Sequence, residues 1–197
     1  MDLNRTRWLV GPFALVAGNL ALAQTPATGA VTYTVDPSHT YPTFFADHHG
    51  VSTWSGKFNK SSGTIVLDRT AHKGTVSISI DINSINFGLD KMNEHALSAD
   101  MFNAAQFPTA TYQGTFSQFN GDVPTQVQGT LTLHGVTKPV TLTIERFACK
   151  PGMGGREVCG GDATTTFNRA DFGISFGVDM GMDPNTKLVI QVEATRA

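Results

Sequence analysis

The sequence predicts an all-β chain of antiparallel strands, rolled into a barrel or stacked as a sandwich. Three observations carry this. Apolar and polar residues alternate with period two along most of the chain, the spacing that places successive side chains on opposite faces of a strand. Short turn signals separate these runs, at Ser61-Ser62-Gly63, His72-Lys73-Gly74, Asn120-Gly121-Asp122 and His134-Gly135. Strands do not alternate regularly with helical patterns, which disfavours a parallel α/β sheet.

Before the first strand, residues 1–23 have the pattern of an export signal. Arg5 and Arg7 precede an uncharged apolar stretch, which ends in the small residues Ala21-Leu22-Ala23. Gly11, Pro12 and Asn19 interrupt that stretch, and it is shorter than the ~20 residues a membrane helix requires. Cleavage after Ala23 leaves 174 of the 197 residues, enough for one domain with a substantial core. Residues 24–30 form a Thr/Ala/Gly/Pro linker, and residues 31–197 form the single β domain. The chain after residue 23 carries 12 basic and 15 acidic side chains. It has no basic run, so nucleic acid is not an expected partner. No later segment is long and apolar enough to span a membrane.

The strands follow in order. Thr64 to Leu67 is a short candidate. Val76-Ser-Ile-Ser-Ile-Asp-Ile82 is the clearest run, with Val76, Ile78, Ile80 and Ile82 on one face. Asp90 to Ser98 breaks the pattern with good helix formers and predicts one short helix, with Asp90 as its cap and Met92, His95 and Ala96 on one side. Thr109 to Phe116, Gln128 to His134 and Pro139 to Ile144 are further strands, the last with Val140, Leu142 and Ile144 inward. Ala163 to Asn168 and Lys187 to Thr195 complete the series, with Leu188, Ile190 and Val192 facing one way.

Cys149 and Cys159 are the only cysteines, and they flank a Pro/Gly-rich tract. In an oxidising compartment one disulfide closing a loop is the expected arrangement. The alternative, a redox or metal pair, lacks a Cys-x-x-Cys spacing and a nearby histidine. His48 and His49 raise a metal reading, with His39, Asp47 or His95 as further ligands. Adjacent strand residues point to opposite faces, however, so the pair is poorly placed to hold one ion. His134, beside Gly135, is read as a turn residue. Catalytic motifs such as Gly-x-Ser-x-Gly, His-Glu-x-x-His and a phosphate loop do not occur. Glu94 and Asp171 remain isolated acids, and no catalytic residue is assigned.

The motifs also resemble those of the YceI-like family of exported polyisoprenoid-binding proteins. Asp36-Pro-Ser-His39, then Phe44, His48, Gly50-Val-Ser52 and Gly56-Lys-Phe58, are similar to its opening. Asp100-Met-Phe-Asn103 and Phe107-Pro-Thr109 resemble its middle. Gly129-Thr-Leu-Thr-Leu-His-Gly-Val-Thr-Lys-Pro-Val140 is the most distinctive match, and Asn168-Arg-Ala-Asp-Phe-Gly173 resembles its late motif. The resemblance implies a lipocalin-like, extended antiparallel β-barrel of about eight strands, capped by the short helix. It implies a periplasmic or secreted, non-catalytic carrier that holds an isoprenoid chain, such as a quinone precursor or prenyl phosphate, in an apolar pore. It implies no cofactor beyond that lipid, and dimers occur among such relatives. Pro42 and the Cys149–Cys159 tract depart from the simplest family pattern. On this reading Phe44, Phe58, Ile78, Ile80 and Phe102 line the pore with Tyr112, Phe116, Leu142 and Ile190, and His48 lies at the site. Arg169 is placed near the mouth to meet a phosphate or quinone carbonyl, the alternative being an ion pair with Asp171 or Asp36. Two other readings are a solid-core, stress-related interaction module and an enzyme acting on a prenyl lipid.

Overall fold

The computed structural model describes residues 29–197, so the export signal and most of the linker lie outside the described residues. In chain order the strands are β1 (Val31–Val35), β2 (Tyr41–His48), β3 (Ser52–Phe58), β4 (Ser61–Asp68), β5 (Lys73–Asp81) and β6 (Ile85–Asn86). After the helix α1 (Asp90–Leu97) come β7 (Thr109–Asn120), β8 (Val123–Leu133), β9 (Val136–Pro151), β10 (Glu157–Asn168) and β11 (Asn185–Arg196). Eight of them close a ring, β1-β4-β5-β7-β8-β9-β10-β11, and β11 returns to β1. Every pairing is antiparallel, so closure leaves this ring without the free edge that an open sheet exposes. The remaining strands β2, β3 and β6 extend the wall from β11 at the end that carries α1. The predicted barrel of about eight strands with one helix is the observed architecture.

β11 supports two strands end to end. Its residues Thr186–Gln191 pair with β2 and Ala194–Arg196 pair with β1. The interruption is the corner Asp36-Pro-Ser-His39. Asp36 accepts hydrogen bonds from the Ser38 amide at 2.8 Å and the Ser38 hydroxyl at 2.6 Å, and contacts His39 Nδ1 at 2.8 Å. These partners favour the ionised carboxyl and lower its pKa to about 2, the Ser38 hydroxyl having the largest effect and His39 the next. Thr40 then substitutes for the missing ladder: its hydroxyl donates to the Glu193 carbonyl and accepts from the Glu193 amide. Pro42 pairs with Ile190 of β11, while pairing to β3 begins only at Thr43. The missing N–H therefore falls where β2 has a single neighbour.

Several local expectations change. Ser61-Ser62-Gly63 is not a turn but the start of β4, paired with β5 from Ser61↔Ile80 onward. Gly63 is required there because a Cβ would run into the Ser77 carbonyl of the next strand. The turn expected at His72–Gly74 lies earlier, and Lys73 already pairs with Asp68. α1 is capped by Leu89, without a side-chain bond, and Asp90 is its first residue. Asn93 instead turns back to accept from the Phe87 amide at 2.8 Å. His134 and Gly135, at φ 52° and 75°, form the tight β8–β9 hairpin, whose favoured turn needs two such residues. The His134 ring also donates from Nδ1 to the Phe172 carbonyl at 3.1 Å, tying the late motif to this hairpin.

The cysteine tract is not a free loop. Cys149 and Cys159 are directly opposed in β9 and β10 and form a disulfide, and pairing continues beyond them to Pro151↔Glu157. The bridge is thus a cross-strand staple inside a hairpin. Cys159 is buried against Tyr33, Leu67 and Ala194.

Candidate functional site: an apolar lumen closed at one end

The inward faces of the strands do not meet across the middle of the barrel. The space between them has two compartments, which share the four wall residues Pro42, Ile80, Leu131 and Leu188. These residues form a waist. The upper compartment, toward the disulfide, has a volume of about 150 Å³ and an apolar wall throughout. Ile78, Tyr112, Phe116, Leu142 and Ile190 line it, and Ile80 lies at the boundary. Each occupies the inward set of its strand, as the alternation requires.

Tyr112 shows how this wall is shaped. Its ring lies over Gly129, where a Cβ would sit 2.7 Å from the phenol oxygen, and beside Gly114. The two glycines give the ring room to lie flat along the sheet. Its hydroxyl donates to the Val140 carbonyl at 2.9 Å, and burial raises its pKa to about 12. The upper end is filled. Tyr33 is only 3% exposed and donates to Glu157 Oε1 at 2.6 Å, while Phe147, Phe119 and the disulfide pack around it. Burial and then the adjacent Glu157 carboxylate push the Tyr33 phenol above its ordinary value.

The lower compartment is larger, about 340 Å³, and more polar. Phe44, Phe58 and Phe102 line it, with Phe87 adding a fourth ring. Phe44 meets Phe58 and Phe87 at centroid distances of 5.7 and 5.2 Å, and Phe58 meets Phe102 edge-on at 5.7 Å. Gly56 makes room for this cluster, since a Cβ there would lie 2.6 Å from the Phe44 ring. Met92 and His95 close one side from α1. His48 and His49 both line this compartment, with ring centroids 5.1 Å apart, because His49, at φ 57°, lies past the end of β2 and does not take the opposite face expected of a strand neighbour. His48 also stacks on Trp54 at 4.3 Å with planes 15° apart. A stacked imidazole has an aromatic partner on one face, which suits a wall more than an ion site.

Arg169 is buried, at 9% exposure, at the edge of this compartment. It does not pair with Asp171 or Asp36. Its guanidinium donates to the carbonyls of Ile174 at 2.8 Å and Phe176 at 2.9 Å, and so holds the segment after the late motif across the mouth. No carboxylate lies within ion-pair distance of it among the described residues. Burial lowers its pKa, and the more distant Asp183 opposes that shift. Phe176 packs on His95 of α1 at 4.8 Å, and the Asp183 amide donates to Asp47 at 3.1 Å. Phe176 and Met180 remain partly exposed at this end.

Sequence reasoning missed the waist and much of the mouth. Leu188 was legible as inward-facing, but nothing in its strand distinguishes the one position where the lumen narrows. Pro42 read only as a strand irregularity. Trp54 lies on the short strand β3, and Met180 and Met182 lie outside any strand; their place at the mouth follows from the path of the extension β2-β3-β6 and of the segment after Phe172. The only cluster of metal-ligating residue types among the described residues is Cys149, Glu157 and Cys159, whose sulfurs are bound to each other.

The YceI-like domain model matches residues 33–194. A UPF0312 protein of Vibrio vulnificus is 31% identical over 188 residues, covering 93% of this chain and 98% of its own. A UPF0312 protein of Pseudomonas aeruginosa is 31% identical over 171 residues, covering 85% and 88%. Among solved structures, Burkholderia cenocepacia BcnA aligns with a TM-score of 0.63 at 21% identity, covering 82% of this chain and 99% of that one. A domain from Saccharophagus degradans, described as a polyisoprenoid binding domain implicated in plant cell wall breakdown, aligns with a TM-score of 0.61 at 18% identity, covering 85% and 99%. The Campylobacter jejuni YceI protein aligns with a TM-score of 0.62 at 24% identity, covering 76% and 89%. The motifs, the closed barrel and the match over nearly all of the described residues agree: this chain belongs to the YceI-like family.

Proposed function

We propose that this protein is an exported carrier that shelters the apolar tail of an isoprenoid lipid in its lumen and performs no chemistry on it. The observation that supports this reading best is the two-compartment apolar lumen, open toward α1 and filled at the disulfide end. Together the compartments reach the size of ordinary small-molecule sites, roughly 300–1,000 Å³. Burial of the tail supplies the affinity at about 0.8 kcal/mol per methylene, so few polar contacts are needed. The mouth adds polar groups from Arg169, His48 and His95 beside aromatic rings, which suits an amphiphile with its head at the open end. The likeness to a domain described as polyisoprenoid-binding supports the ligand class. The N-terminal pattern and the disulfide support export, because disulfides persist mainly in oxidising compartments.

A packed scaffold that docks partners through its loops has no use for such a lumen, which favours the carrier reading. The test is to extract protein expressed in its own host and to examine it by native mass spectrometry. A bound prenyl lipid is expected. Protein that is reproducibly lipid-free, and that takes up no prenyl alcohol or quinone on titration, would refute the proposal.

A further inference from the structure

The two ends of the lumen are built differently. At the α1 end, large apolar side chains reach solvent: Phe176 and Met180 line the lower compartment and are 39% and 55% exposed. At the other end the wall closes on itself. Tyr33, Leu67, Cys159 and Ala194 are all buried, and Phe116, Phe119, Phe147 and Cys149 pack against them. Three ties from different strands hold this end together. The Tyr33 hydroxyl of β1 donates to Glu157 of β10. The disulfide joins β9 to β10 two residues further along. The Arg69 guanidinium, at the end of β4, lies over the Phe147 ring at 5.8 Å, within the range of a cation–π contact. Tyr33, Phe147 and Cys159 all border the upper compartment.

We infer that this plug is a molecular stop: Tyr33, Phe147 and the Cys149–Cys159 staple set the longest apolar chain that the lumen takes up completely. The inference rests on the carrier reading above and assigns it a specificity determinant. Carbons that fit between mouth and stop are removed from water; carbons beyond that number must stay outside. Affinity therefore rises by about fourfold with each buried methylene and then stops rising at a limiting length. The strands beyond the stop are not the limit, since β9 and β10 continue past the disulfide to Pro151 and Glu157.

The test is calorimetric titration of delipidated protein with prenyl alcohols of increasing length, which keep one headgroup while the tail grows. In the unaltered protein the gain per added carbon is expected to cease at a defined length. In Tyr33→Ala and, separately, Phe147→Ala, the plateau moves to longer chains. Thermal unfolding of each variant confirms that it is folded. The two substitutions are on different strands, so one remains informative if the other fails to fold. A plateau at the same length in a folded variant would overturn the stop, as would affinity that keeps rising with length in the unaltered protein. If no alcohol of any length binds the unaltered protein, the carrier reading itself fails, and that outcome is distinct from either of the others.

Discussion

Closing the waist separates the contributions of the two compartments. Leu188 borders both and lies in β11 opposite Phe44 of β2 and Thr165 of β10. Replacing it with tryptophan sends the added ring into the lumen and not into the packed wall. The upper compartment of about 150 Å³ equals roughly five water-sized volumes of about 30 Å³, or room for roughly five methylene-sized groups. At about 0.8 kcal/mol each, excluding them weakens a long ligand by about 4 kcal/mol, close to a thousandfold in Kd. A short ligand that fits within the lower compartment loses little. The assay is calorimetric titration of geraniol and geranylgeraniol against both proteins, with urea unfolding to check the fold. Geranylgeraniol is expected to fall toward the affinity of geraniol. Unchanged binding of the long alcohol, or equal losses for both, would refute a continuous lumen through the waist.

Other outcomes follow from the fold. Converting Cys149 and Cys159 together to serine removes the staple and lowers stability by about 2–3 kcal/mol in the chain-entropy account of a short loop, read as a lower urea midpoint that reduction of the unaltered protein reproduces. Gly129→Ala places a methyl group against the Gln113 carbonyl, its nearest contact, and 2.7 Å from the Tyr112 hydroxyl and destabilises by about 1–3 kcal/mol, seen as a lower midpoint at unchanged denaturant slope. Asp36 has a depressed pKa in the folded state, so its contribution is present above the unfolded value near 3.8 and is lost as pH falls toward about 2. His39 is shifted upward by the same contact, so its contribution is full below the unfolded value of 6.5 and fades as pH rises through the folded one. The midpoint difference between the unaltered protein and Asp36→Ala is therefore greatest between about pH 4 and 6.5 and nearly absent at pH 2, and a difference independent of pH would contradict the assignment.

The barrel was legible because its strands keep one face toward the lumen, and that alternation survives in sequence. Val76, Ile78 and Ile80, or Leu188, Ile190 and Val192, could be assigned before any contact was known. Signals with two physical meanings were harder to read. Gly63 looked like a turn glycine, yet it is there because the neighbouring backbone leaves no room for a Cβ. The Pro/Gly-rich tract between the cysteines does turn back on itself, but only over residues 152–156, and the strands pair along both of its flanks up to Pro151 and Glu157. β3 keeps Trp54, Gly56 and Phe58 on its buried face and Ser55 and Lys57 outside, but the run is short and carries a glycine and only two large apolar side chains, too weak a pattern to place Trp54 at the mouth. Arg169 drew attention for its charge, whereas its observed partners are main-chain carbonyls that no pattern of side chains announces.

On the carrier reading proposed above, the sealed end also limits the kind of traffic that the molecule would support. A sleeve with one doorway cannot act as a pipe, taking cargo in at one membrane and discharging it from the far side toward another. Whatever enters must back out the way it came, so donor and acceptor must each be approached by the same rim, in turn. Under that proposal, delivery would require the whole protein to detach, tumble and dock again, and the journey would be that of a ferry, not a bridge.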